Sequence, residues 1–245
     1  MFNRKNKGPE PVAPANLFTV NEPSSVITEQ VKTIRTNVSF AQQAQSLRTI
    51  MVTSAMASEG KSTVTANLAV EFAQAGKRVV LIDADLRRST VNRTFRIREA
   101  NRGLTNYLVR QIDNITEVCH PTMVENLAVI PSGPTPPNPA ELIGSPLMAT
   151  VFDQLKQYFD LIIVDAPPIL PVTDGQILSN MVDGVILVVR QNYTDKRAVV
   201  DTKERLEQAQ ANILGVVLND VRSEGHSGYY NNGDGYYGYE YSEKK

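Results

Sequence analysis

The sequence predicts an α/β fold: a doubly wound, mostly parallel sheet with helices on both faces. Three observations carry this. Near-continuous runs of Val, Ile and Leu recur along the chain, as strands buried on both faces require. Stretches with apolar residues at helical spacing alternate with them. The strands are therefore joined by crossovers, which the right-handed rule winds onto both faces. The loop after the first run ends in Gly60-Lys61-Ser62 and leads into a helical pattern, the context of a phosphate-binding P-loop.

In chain order, residues 1–23 hold Pro9, Pro11, Pro14 and Pro23 and little apolar surface, which predicts a flexible N-terminal arm. Residues 24–222 form the folded domain. Its first helix is expected over 24–45, with Val26, Ile27, Ile34, Val38 and Ala41 as an imperfect apolar stripe. Glu29, Lys32 and Arg35 recur every third residue and share one flank, which reads as a solvated charged face. Residues 49–54 form a strand. A helix follows over 63–75, with Val64, Leu68 and Phe72 on one side and Gly76 as its terminating glycine. Strands are expected at 78–83, 126–131, 161–165, 184–189 and 213–218. Ser145 and Pro146 open a helix, and Thr194 is positioned to cap another that runs to about 210. Residues 223–245 interleave glycine with Tyr229, Tyr230, Tyr236, Tyr237, Tyr239 and Tyr241. This tail lacks aliphatics and periodicity, so disorder is expected.

The chain has 245 residues, 42% of them hydrophobic, and a net charge of −1. That suffices for one large α/β domain and gives no electrostatic footprint for nucleic acid. The single cysteine, Cys119, excludes an internal disulfide and suits a reducing cytosol. No apolar run approaches the length of a bilayer span, and the N-terminus lacks a signal-peptide apolar region. Contact with a membrane is therefore expected to go through a partner.

In the loop, Ser58, Glu59, Gly60, Lys61, Ser62 and Thr63 are expected to hold nucleotide phosphates on backbone N–H groups at a helix N-terminus. Lys61 is assigned as a charge on the phosphates and not as core. The Ser62 hydroxyl is assigned to Mg²⁺. The motif opens with Ala55 where glycine is usual. Two strands end in aspartate, at Asp83-Ala84-Asp85 and at Asp165, the end where ligands collect in parallel sheets. Asp165 after four aliphatics suits a metal-directed carboxylate. Asp83 and Asp85 alternate, so both are expected on one face. Three clustered carboxylates repel without a cation, which implies a metal. A tyrosine acceptor, with a pKa near 10, needs a carboxylate to take its proton. Either Asp83 or Asp85 fits that role, the other being a metal ligand.

The chain resembles the cytoplasmic kinases of the bacterial tyrosine kinase family (BY-kinases) that are encoded with capsular and exopolysaccharide synthesis proteins, in their separate-chain form. The likeness rests on residues 58–63, 81–88, 131–142 and 160–168, and above all on the terminal tyrosine cluster. It implies ATP and Mg²⁺ as cofactors and autophosphorylation of the tail on a neighbouring subunit. It implies as partners a membrane-embedded activator (a polysaccharide co-polymerase), further copies in a ring, a phosphotyrosine phosphatase, and polysaccharide-synthesis proteins as substrates. It places the protein in the cytoplasm, at the inner face of the membrane. In the resembling superfamily an asparagine at the Asn219 position reads adenine; a plain turn asparagine fits as well. The family's subunit-contact motif reads here Glu29, Lys32, Arg35, with lysine in place of the first arginine, which removes a bidentate fork. Ala57 and Ser58 stand where the family usually has proline and glycine.

Two other readings compete. Septum-site and partitioning ATPases (MinD and ParA) of the same superfamily hydrolyse ATP as dimer switches. They carry a lysine at the position of Met56 and lack the tyrosine run. A non-catalytic nucleotide-binding scaffold is the third, against which stand the intact Lys61, Asp83, Asp85 and Asp165.

Overall fold

Among the described residues, seven strands form one sheet in the order β3-β4-β2-β5-β1-β6-β7. The structure is a computed structural model and describes residues 15–221. Its elements are α1 (Phe18–Asn21), α2 (Val26–Gln45), β1 (Thr49–Ser54), α3 (Lys61–Gln74), β2 (Val79–Asp83), α4 (Val91–Thr94), α5 (Leu104–Leu108), a 3₁₀ turn (Ile115–Val118), β3 (His120–Pro121), β4 (Leu127–Ile130), α6 (Pro139–Ile143), α7 (Pro146–Leu155), β5 (Leu161–Asp165), α8 (Asp174–Ser179), β6 (Gly184–Arg190), α9 (Lys196–Gln208) and β7 (Ile213–Asn219). All pairings are parallel except β3 with β4. The doubly wound, mostly parallel reading holds.

Every residue of β1, β2 and β5 is buried, because side chains alternate between two covered faces. Ile50, Val52, Leu81 and Ile163 pack under α2 and α3. Met51, Val80, Ile82 and Val164 pack under α5, α7 and α8. The strand that sequence reading misses, β3, has two residues, one of them Pro121, at a sheet edge. Too short to alternate, it sits where proline is tolerated.

Helix ends follow local chemistry. Ser25 Oγ accepts from Thr28 N at α2, and Ser145 Oγ accepts from Met148 N at α7. After α3, Gly76 takes φ +88°, and Lys77 N donates to Phe72 O while Gly76 N donates to Ala73 O. That is a Schellman closure. Val31 and Val38 of α2 are buried, whereas Val26 and Ile27 of the expected stripe are exposed. At α9 the cap is Asp195, not Thr194: Asp195 Oδ1 accepts from Arg197 N. Thr194 is diverted to the phosphate loop, as shown below.

The expected arm over 1–23 also needs correction where it is described. Leu17 and Phe18 are buried. Thr19 N and Oγ1 donate to Asn67 Oδ1, and Asn67 Nδ2 donates to Asn16 O. Four apolar residues between two prolines, Ala15, Leu17, Phe18 and Val20, are too few to register as an element, yet this stretch docks on α3. Among the described residues no helix is long and apolar enough to cross a membrane.

Cys119 is half-buried, and its Sγ donates to Ile115 O. Burial pushes its thiol up to about 12. Thiolates are the reactive species, so alkylation at pH 8 is expected to run more than about a hundredfold slower in the native chain than in the denatured one. Equal rates would contradict the burial.

Candidate active site

The site lies at the carboxyl ends of β1, β2 and β5. Register pairs Asp83 with Asp165 across β2 and β5, so the two strand-end aspartates are neighbours. The P-loop fills the gap from β1 to α3. Gly60 has φ +91° and Ser58 φ +67°. The Gly60 Cα lies so close to Asn219 that an added Cβ would sit 2.0 Å from its Nδ2. Glycine is required there on both counts.

Ser58 holds a left-handed backbone with a side chain, which costs about 1–2 kcal/mol. Glycine avoids this but gives back about 0.5–1 kcal/mol in chain entropy. Ser58→Gly is therefore expected to stabilise the protein by about 0.5 kcal/mol, seen as ~1–2 °C in Tm. A lower Tm would show that the loop is unstrained.

The loop is braced from within the chain. Glu59, fully buried, accepts from Ala55 N (3.0 Å) and from Thr194 Oγ1 (2.8 Å). Burial raises its pKa, opposed by those hydrogen bonds. Asn219 Nδ2 donates to Glu59 O at 2.9 Å. Arg190 Nη1 donates to Ser58 O at 3.3 Å. Glu59 thus faces inward as a brace, and Asn219 secures the loop with the amide expected at adenine. Arg190 was not anticipated, and Thr194 was expected only as a helix cap. Arg190 ends β6 and Thr194 follows it, with no motif of their own, and only the tertiary fold brings them to the loop.

Lys61 Nζ lies 3.1 Å from Asp85 Oδ2 and 3.3 Å from Asp165 Oδ1. Burial alone would lower its pKa. The charges of Asp165, Asp85 and Asp83 outweigh burial and hold it well above the usual lysine value. The lysine was expected to serve phosphate alone; here it is also the counter-ion of a buried acidic cluster. The cation that the carboxylates demand is supplied by the chain itself, so their repulsion does not by itself require a metal. Among the described residues no group of three or more His, Cys, Asp or Glu is arranged to hold one.

Asp165 nevertheless fits a divalent ion. Its Oδ2 is buried without a hydrogen-bond partner, while Oδ1 accepts from Thr65 Oγ1 and Lys61. An orphaned carboxylate oxygen with the nearby Ser62 hydroxyl suits Mg²⁺, which takes one or two protein ligands and completes its shell with phosphates and water. Burial raises the Asp165 pKa, and Lys61 and the Ser62 hydroxyl oppose it.

Asp83 and Asp85 diverge. Asp83 Oδ2 accepts from Ser89 Oγ (2.7 Å) and Val91 N (3.2 Å). Burial, then the Asp165 charge, push it up to about 7, against the Ser89 hydrogen bond and Lys61. Asp85 faces Lys61 and lines a cavity of about 560 Å³ in front of the loop. The volume is that of a small-molecule site. Its walls include Met56, Lys61, Ser62, Arg88 and Pro171.

The α2 flank is engaged within the chain. Lys32 Nζ pairs with Glu29 Oε1 at 2.7 Å. Arg35 Nη1 pairs with Glu71 Oε2 of α3 at 3.3 Å, and Glu71 is buried. The six tail tyrosines lie outside the described residues.

A family model described as an AAA domain matches residues 47–214. The tyrosine-protein kinase YwqD of Bacillus subtilis is 42% identical over 238 residues, covering 97% of each chain. The chain belongs to the bacterial tyrosine-protein kinase family. The kinase domain of the Escherichia coli tyrosine kinase ETK superposes with a TM-score of 0.82 at 32% identity, covering 92% of this chain and 87% of that one. The septum-site protein MinD of Pyrococcus horikoshii, complexed with Mg-ADP, reaches 0.62 at 25% identity over 72% of each chain. The kinase likeness extends further on every measure than that to the ATPase switch. Loop and fold are those of a protein that binds nucleotide with a divalent metal.

Proposed function

We propose that this kinase transfers the terminal phosphoryl group of ATP, with Mg²⁺, to tyrosines of its own tail on a neighbouring subunit. The observation that carries the reading is Lys61 poised between Asp85 and Asp165 at the mouth of the cavity. Phosphoryl transfer needs positioned charge more than covalent chemistry. Lys61 would exchange its carboxylate partners for phosphate oxygens. Ser62 and Asp165 would hold the metal, which neutralises charge on the phosphates. In the transfer the tyrosine oxygen bonds to the γ-phosphorus as the bond to the bridging oxygen breaks, and ADP leaves with that electron pair. Asp85 is our choice to receive the phenolic proton, because it lines the cavity whereas Asp83 is turned onto Ser89 and Val91.

The family resemblance extends this reading. The chain would sit at the cytoplasmic face of the membrane on an activator, assemble into rings, and be reset by a phosphotyrosine phosphatase. It would thereby regulate capsular or exopolysaccharide synthesis and export, with synthesis proteins as further substrates. The Glu29/Lys32/Arg35 flank would contact the next subunit, which requires Arg35 to leave Glu71 or to serve both.

Incubation of the purified chain with Mg-ATP, with and without an activator segment, separates the readings. Phosphotyrosine in the tail supports the kinase. Release of phosphate without label would indicate a switch, and neither outcome a scaffold.

A further inference from the structure

The cavity in front of Lys61 carries two consecutive arginines that stand in different states. Arg87 is locked: Nε and Nη2 donate to Asp174 Oδ2 and Oδ1 at 2.8 and 3.0 Å. Asp174 is buried at the start of α8, so this pair ties the loop after β2 to α8. Arg88 is exposed and lines the cavity. Its backbone N–H is held by Asp85, on O at 3.2 Å and Oδ1 at 3.0 Å. Its guanidinium has no ion-pair or hydrogen-bond partner among the described residues. A free guanidinium is thus anchored through its main chain to the carboxylate that faces Lys61.

Part of the same cavity's lining is an apolar wall, with Met56, Pro167, Pro168, Pro171 and Val172. Asn219, on the other side of the P-loop, is not part of it. An apolar wall suits an aromatic ring, and a forked guanidinium suits a carboxylate. An extended peptide advances about 3.3–3.6 Å per residue. Only an acid one or two residues from the ring stays near Arg88 while the ring occupies the wall.

We infer that Arg88 selects acceptor tyrosines flanked by Asp or Glu, the apolar wall taking the ring and the guanidinium the neighbouring carboxylate. This rests on the tyrosine-kinase reading. The tail of this chain contains both kinds of acceptor. Tyr239 and Tyr241 flank Glu240, and Tyr236 follows Asp234 by two residues. Tyr229 and Tyr230 have no acid within three residues. The cluster is then an ordered set of substrates, with Tyr236, Tyr239 and Tyr241 filled before Tyr229 and Tyr230.

The test uses the full chain, Mg-ATP and two peptides that differ only in Glu or Gln beside one tyrosine. The Glu peptide is expected to have the higher kcat/KM by about two- to fivefold, the range of one exposed Arg–carboxylate pair. The ratio should fall toward one at high salt. Arg88→Gln should bring it to one, and Arg88→Glu should favour a Lys-flanked peptide. Early tail labelling mapped by mass spectrometry should place Tyr236, Tyr239 and Tyr241 ahead of Tyr229 and Tyr230, an order that Arg88→Gln removes. If the wild type labels its tail but takes neither peptide, this order alone decides the matter. A wild-type ratio of one with no order in the tail overturns the inference. So does a preference that survives Arg88→Gln, or equal loss on both peptides, which would assign Arg88 to the phosphates. A wild type that labels neither tail nor peptides defeats the kinase reading itself.

Discussion

Lys61→Met is expected to abolish autophosphorylation and to lower stability, the second effect growing with pH. The catalytic loss follows from removing a charge that acts more strongly on the transition state than on the ground state. One such preorganised group is worth about 10²–10³ in rate, and here it is also the loop's cation. The loss of stability follows from the counter-ion role. Lys61 is buried against Asp85 and Asp165, and removing one partner of a buried pair costs about 3 kcal/mol, or roughly 6–12 °C in Tm for a domain of this size.

The sign of the pH dependence is set by the carboxyls. Asp83 and Asp165 already have pKa values above their ordinary value, mainly through burial. A buried carboxyl with a raised pKa binds more protons folded than unfolded, so stability falls as pH rises from its unfolded value toward its folded one. For Asp83 that window runs from the ordinary carboxylate range to about 7. Without the Lys61 charge the window extends upward. The variant's deficit against wild type should therefore be larger at pH 8 than at pH 5.5, where the cluster can protonate. Thermal unfolding at both pH values, alongside a phosphotyrosine assay, checks both halves. Full activity in a folded Lys61→Met protein would sink the P-loop assignment. A deficit independent of pH would sink the counter-ion role.

That second effect shows where sequence reading stops. The buried parallel strands were legible because two covered faces force continuous aliphatic runs. The ends of β2 and β5 were legible because aspartates interrupt those runs. Ser145 and Pro146 marked α7 through a cap that acts within four residues. What stayed hidden depends on pairs far apart in the chain. Thr194 looks like a cap in sequence, but Glu59, 135 residues away, takes its hydroxyl. Asp83 and Asp85 look equivalent by alternation, yet Ser89 and Val91 turn one inward while Lys61 takes the other. Arg35 looks like free surface, yet it pairs with a buried carboxylate on α3. Each of these is a tertiary choice among partners that local spacing does not rank.

Phosphorylation of the tail is expected to dismantle the proposed assembly. The tail follows β7, whose last residue, Asn219, donates to the P-loop carbonyl of Glu59. It therefore departs beside the nucleotide site. A glycine-rich chain of roughly 23 residues would span about 25–30 Å as a random coil, a reach that would serve a neighbour's cavity as well as its own. A tail that enters a neighbour's site links the two subunits, beside whatever the α2 flank contributes. Each phosphate adds about −1.5 to −2 charges. Six would add roughly −9 to −12 to a chain whose net charge is −1. The cavity that must hold them is lined by Asp85, Lys61, Arg87 and Arg88, and since Lys61 and Arg87 are already paired with carboxylates, Arg88 is left to offset the tail. That much charge outweighs one free guanidinium, so the phosphorylated tail is expelled and the subunits lose the link. Light scattering on wild type before and after ATP treatment, at one concentration and salt, should show the mass fall. The variant with all six tail tyrosines changed to phenylalanine should keep its mass under ATP. An unchanged wild-type mass after full phosphorylation, or disassembly of the phenylalanine variant on ATP alone, would show that nucleotide or another contact governs any assembly.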